Sequence, residues 1–110
     1  MLVFNLKKEW FEKIKNGEKT HEYREYKPYW AKRLSKYFAT DLSAIKLRFG
    51  NEIVFSYPYY VSFACGYPSA NEKDKILKAR VQTIRLIDGR ETDLKKAIPV
   101  YDIKFELIKD

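Results

Sequence analysis

The chain has 110 residues, of which 45% are hydrophobic and 34% charged, and its formal net charge is +7. That length fits one domain with a modest core, residues 1–110, and is too short for two; the composition excludes a disordered chain. A single cysteine, Cys65, excludes an intrachain disulfide and leaves no zinc-ligand spacing, so a reducing compartment and no metal or other cofactor are expected.

The start, Met1-Leu2-Val3-Phe4-Asn5, is apolar only briefly, without the basic start and long apolar run of a secretory leader. No apolar run approaches the ~20 residues that span a bilayer. A cytoplasmic protein with no membrane partner is therefore expected. The charge is uneven: residues 1–48 hold twelve Lys and Arg against six Asp and Glu, a net of +6, and residues 49–110 hold ten against nine. A basic half rich in aromatic residues points to a polyanion, nucleic acid before membrane, although a soluble protein can also be basic without such a partner.

In chain order, Leu2 to Leu6 reads as a short strand. Lys7 to Asn16 reads as a helix, with Trp10, Phe11 and Ile14 on one face and Lys8, Glu12 and Lys15 toward water. Gly17 ends it, because glycine takes the left-handed conformation of a C-terminal cap. Thr20 to Tyr26 is strand-like, with Thr20, Glu22 and Arg24 on one face and His21, Tyr23 and Glu25 on the other. Neither face is apolar, as expected of a strand that lines a ligand cleft. Lys19 has the wrong parity for Glu22 and Arg24 in regular strand, but reaches them from the preceding turn.

Pro28 suits the first turn of a second helix, whose apolar face is Trp30, Leu34, Tyr37 and Phe38. Ala44 to Phe49 and Glu52 to Tyr57 flank Gly50-Asn51, a hairpin signal. Tyr59 to Cys65 resumes as strand, with Cys65 expected as a buried thiol, and Gly66 to Lys75 is a polar loop. Ile76 to Asp88 is a long strand whose apolar parity changes, which predicts a β-bulge near Gln82-Thr83. Asp88-Gly89 is a turn, Thr92 caps a short helix over Asp93 to Ile98, and Tyr101 to Leu107 alternates as the last strand. The order predicts an α+β fold: a small mixed or antiparallel barrel with helices closing one side.

Two constellations bear on function. Lys19, Glu22 and Arg24 are candidates for chemistry: a lysine beside a carboxylate serves as general base or nucleophile, and an arginine holds a phosphate or carbonyl oxygen. The same residues also make a structural ion-pair network. Arg24, Lys27, Tyr29, Lys32, Arg33 and Lys36 form the second, a basic face with exposed rings. Its cations give salt-dependent phosphate contacts, and rings such as Tyr26 or Tyr29 stack bases; a solvated helix face has the same composition. His21 shows no partner acid and reads as an ordinary strand residue. An adaptor that binds another protein through the 66–75 loop and aromatic strands is a third reading.

The stretch from Trp10 to Arg24 resembles the signature of the ASCH domain family. Gly17, Lys19, Glu22 and Arg24 match its G-x-K-x-x-E-x-R pattern, and Phe11, Ile14 and Gly17 match its lead-in. The match covers roughly residues 2–38 and is loose beyond. It implies a PUA-like β-barrel of about five to six mostly antiparallel strands, with two N-terminal helices and a short C-terminal helix. It also implies a cleft that binds RNA or a nucleoside- or nucleotide-like ligand, with Lys19, Glu22 and Arg24 as its polar contents. Some members are similar to amidohydrolases on acetylated cytidine nucleosides, and others are linked to RNA cleavage. The amidohydrolase group uses the lysine with a threonine, where this chain has Glu22, and a later glutamate, for whose place Glu91, Asp93 and Asp102 are the candidates here. A hydrolase, either on acylated cytidine nucleosides or as a metal-independent ribonuclease, is thus the alternative to a binding domain.

Overall fold

The computed structural model describes residues 1–43, 47 and 51–109. The strands are β1 (Leu2–Leu6), β2 (His21–Glu25), β3 (Glu52–Val54), β4 (Tyr60–Cys65), β5 (Ile76–Asp88) and β6 (Pro99–Leu107); the helices are α1 (Lys8–Lys15) and α2 (Pro28–Tyr37). Turns of 3-10 type lie at Lys73–Lys75 and Gly89–Glu91. The strands form one curled mixed sheet, a half-barrel, in the order β1-β4-β5-β6-β2, with β3 also on β5. The β1–β4 pairing is parallel and the others are antiparallel.

Strand β5 is the spine. It pairs along one side with β6 and along the other with β4 and then β3. Its register with β6 shifts between Val81 and Thr83, at the parity change in the sequence. The extra residue lets Ala79 and Val81 before it, and Ile84 and Leu86 after it, all enter one core. Phe11 and Ile14 of α1, Leu34 of α2, and Phe38 just beyond it close the concave side with Phe4, Phe63, Tyr101 and Phe105. The Tyr101 hydroxyl, buried with its ring, donates to the Leu42 carbonyl at 2.6 Å. Tyr59 joins Phe38 and Phe55 in an aromatic cluster, while Tyr57 and Tyr67 are exposed. Cys65 is a free thiol, half-buried at the end of β4 instead of buried.

Both helices begin and end where the chain chemistry places them. Pro28 occupies the first turn of α2, and Gly17 follows α1 at φ +88°, a region that suits glycine. No helix among the described residues is long and apolar enough to cross a membrane. Of the strand expected over 44–49 and its Gly50-Asn51 turn, all but Leu47 and Asn51 lie outside the described residues; Leu47 is buried and donates its N–H to the Ser43 carbonyl at 2.8 Å. Glu52 to Val54 pairs with Arg85, Ile84 and Thr83 of β5.

The short C-terminal helix over Asp93 to Ile98 does not form. Thr92 donates its hydroxyl to the Gly89 carbonyl at 2.8 Å and accepts from the Leu94 N–H at 3.2 Å. Its cap therefore closes a turn, and Lys95 at φ +52° carries the chain out of helical geometry. The segment folds back over Gly89, whose N–H donates to the Ile98 carbonyl at 2.7 Å. A Cβ on Gly89 would lie 2.5 Å from the Lys96 carbonyl oxygen and 2.9 Å from that of Ile98. Both are backbone atoms that cannot rotate away. Gly89→Ala is expected to destabilise the fold by about 1–3 kcal/mol, read from the midpoint of urea unfolding; an unchanged midpoint would show that this loop yields freely.

Candidate functional site

The turn after α1 sets the site. The Asn16 side-chain amide donates to Glu18 at 2.9 Å, the Glu18 N–H donates back to Asn16 at 3.0 Å, and the Lys19 N–H donates to the Lys13 carbonyl at 3.0 Å. Held there, Lys19 sends its side chain over the start of β2. Glu22 and Arg24 stand opposite Ile103 and Tyr101 of β6, two fully buried residues, so both point to the inner face of the sheet. Glu22 is only 5% exposed.

Four charges meet at this point. One Glu22 oxygen accepts from the Arg24 guanidinium at 2.7 Å; the other lies 3.7 Å from Lys19 Nζ and accepts from the Tyr23 N–H at 3.2 Å. Lys19 Nζ donates to Asp93 Oδ2 at 2.5 Å. The Lys19 side chain is 9% exposed, and its ammonium sits 4.7 Å from the Tyr23 ring and 5.4 Å from the Trp10 ring. The Arg24 guanidinium lies 4.9 Å from Phe4 and 5.0 Å from Trp30, and its Nε is buried without a hydrogen-bond partner among the described residues. Cation–π attraction and paired carboxylates therefore hold both cations. The quartet is formally neutral.

An open cleft of about 420 Å³ lies over the quartet, walled by Trp10, Tyr23 and Trp30, with Lys7 and Lys27 also lining it. Burial first, and then the carboxylates of Asp102 and Asp93, pushes the Tyr23 hydroxyl above its ordinary value, so it stays a neutral hydrogen-bonding group.

The expected residues divide between two places. Lys19, Glu22, Arg24 and Lys27 share the cleft. Tyr29, Lys32, Arg33 and Lys36 run along the exposed side of α2. There the Arg33 guanidinium donates to the Tyr29 hydroxyl at 2.5 Å, and Arg33 and Lys36 line a separate hollow with Met1, Leu2 and Tyr37. Among the three acids weighed as partners of Lys19, Asp93 reaches it, Glu91 is exposed, and Asp102 is buried on the opposite side of the sheet. His21 does have an acid: its Nδ1 lies 2.6 Å from Asp102. Antiparallel pairing of Tyr23 with Asp102 puts these side chains on one face, a signal that needs the strand register and not the local sequence.

Among the described residues, no cluster of His, Cys, Asp and Glu has the makings of a metal site. Comparisons with protein-family models, curated proteins and solved structures returned no match.

Removing Arg24 leaves the Glu22 carboxylate buried with Lys19 at 3.7 Å and opens space against Phe4 and Trp30. Arg24→Ala is expected to cost about 3 kcal/mol, and the double variant with Glu22→Gln less than the sum of the two single changes. Urea unfolding of the four proteins measures this; strict additivity would show that the pair does not act as a unit.

Proposed function

We propose that the cleft binds RNA or a nucleotide-like ligand, and that the chain is a PUA-like ASCH domain. The observation that carries this reading is the neutral polar quartet at the base of a cleft walled by aromatic rings. A quartet already paired has no excess charge to capture a bare anion. It offers hydrogen-bond donors and acceptors to a planar heterocycle, and Trp10, Tyr23 and Trp30 supply the apolar walls. Phosphates then fall to Lys7 and Lys27 at the cleft and to Lys32, Arg33 and Lys36 along α2. Arg24 acts through Glu22, fixing that carboxylate, instead of meeting phosphate directly. Tyr29, 56% exposed, is the ring placed to stack a base outside the cleft.

Single-stranded RNA tests this reading through salt. With three to four phosphate contacts, affinity is expected to fall roughly 20- to 50-fold between 50 and 200 mM salt, measured by fluorescence anisotropy of a labelled oligonucleotide. Affinity indifferent to salt removes the basic face from the account.

A second reading, a hydrolase in the same cleft, is favoured by one contact: Asp93 Oδ2 at 2.5 Å from Lys19 Nζ. A carboxylate from the C-terminal half beside the motif lysine offers acyl hydrolysis a base and a cation. Asp93 serves as general base toward water, and the ammonium of Lys19 steadies the developing oxyanion. Incubation with acetylated cytidine is expected to release acetate, and Lys19→Ala to abolish turnover. Turnover that survives in Lys19→Ala excludes the lysine from the chemistry.

A further inference from the structure

On the opposite side of β2 from Glu22, the buried Asp102 carboxylate, 2% exposed, is divided between two partners. Oδ2 accepts from Arg85 Nε at 2.8 Å, and Oδ1 lies 2.6 Å from His21 Nδ1. With Oδ2 held by the Arg85 guanidinium, which is permanently charged, Oδ1 is the acceptor that faces Nδ1 as donor. In the neutral ring that tautomer leaves the lone pair on His21 Nε2, which has no protein partner among the described residues. The His21 side chain is 31% exposed and its ring stacks against Tyr23 at 6.2 Å.

His21 lines a groove of about 410 Å³ that adjoins the cleft; Trp10, Lys19, Tyr23 and Asp93 are common to both. Lys13 and Lys95 reach this groove and are balanced by Glu18 and Glu91. An oriented proton acceptor is what sets the groove apart, not an excess of charge. A carboxylate that fixes the tautomer of a partly exposed imidazole lining a groove is the arrangement of a general base.

We propose that His21 is a catalytic base for cleavage of single-stranded RNA, with Asp102 as its positioning residue. This rests on the reading that the chain binds RNA. An RNA strand carries its own nucleophile next to each phosphorus, so one oriented base suffices to start the reaction. His21 Nε2 takes the 2′-hydroxyl proton, the O2′–P bond forms, and the P–O5′ bond breaks. The departing O5′ takes a proton from water, and His21 returns its own to solvent. The products are a 2′,3′-cyclic phosphate and a 5′-hydroxyl, with no metal and no change of oxidation state.

The test uses the full chain with a mixed-sequence single-stranded RNA, labelled at its 5′ end, in EDTA; binding and cleavage are read on the same samples. The wild type is expected to leave 2′,3′-cyclic phosphate ends. His21→Ala and His21→Gln are expected to retain RNA binding and to cleave about 100- to 10,000-fold more slowly, and added imidazole to restore part of the loss in His21→Ala. Asp102→Asn is expected to lower kcat and leave KM unchanged. RNA that is bound but left intact by the wild type overturns the inference and spares the binding reading. Cleavage at the wild-type rate by both His21 variants also overturns it. RNA that is neither bound nor cleaved overturns both.

Discussion

A carboxylate on the inner face of an outermost strand, against the core, is tolerated only when its charge is answered. Glu22 is in that position, and the cost of burying it unpaired would be several kcal/mol. Arg24 and Lys19 answer it from either side, and most of the site follows. Lys19 must leave the turn after α1 in the direction of β2, which the Asn16–Glu18 bonds and the backbone at Gly17 secure. Lys19 in turn requires Asp93, so the segment between β5 and β6 has to fold back over Gly89. Arg24 ties the quartet to the core, because its guanidinium lies on Phe4 and Trp30.

The sheet gives this short protein two distinct polar sites from one strand. Alternation along β2 sends Glu22 and Arg24 inward and His21 and Tyr23 outward. The inward set is closed, each charge meeting another. The outward set ends in a nitrogen, His21 Nε2, without a partner among the described residues. Tyr23 and Lys19 stand where the two hollows meet, and the Tyr23 ring touches both the Lys19 ammonium and the His21 ring.

Where periodicity and chain breakers determine structure, the sequence was readable. The first strand, both helices, the long β5 and its bulge follow from apolar spacing, with Gly17 and Pro28 as punctuation. The proximity of Lys19, Glu22 and Arg24 was legible for the same reason, since all three lie within six residues. The 92–98 segment was not: Thr92 is a fit helix cap, but its hydroxyl serves a turn because Gly89 draws the chain back through a backbone bond that local propensity does not contain. Asp93 as the partner of Lys19 depends on that closure. The His21–Asp102 pair depends on the β2–β6 register, which joins residues 81 apart in sequence. Long-range pairing of this kind is set by the whole sheet, and a scan along the chain sees only two isolated residues.

The most direct measurement of the central claim, a ligand cleft built on the Glu22 quartet, is an amide and indole N–H shift titration with a short single-stranded RNA. Perturbations centred on the Trp10 and Trp30 indoles and the backbone of Lys19 to Arg24 are predicted, extending to Leu94 across the cleft. Shifts confined to the far end of the sheet, around Val54 and Tyr57, with the Trp10 and Trp30 indoles unmoved, would contradict it.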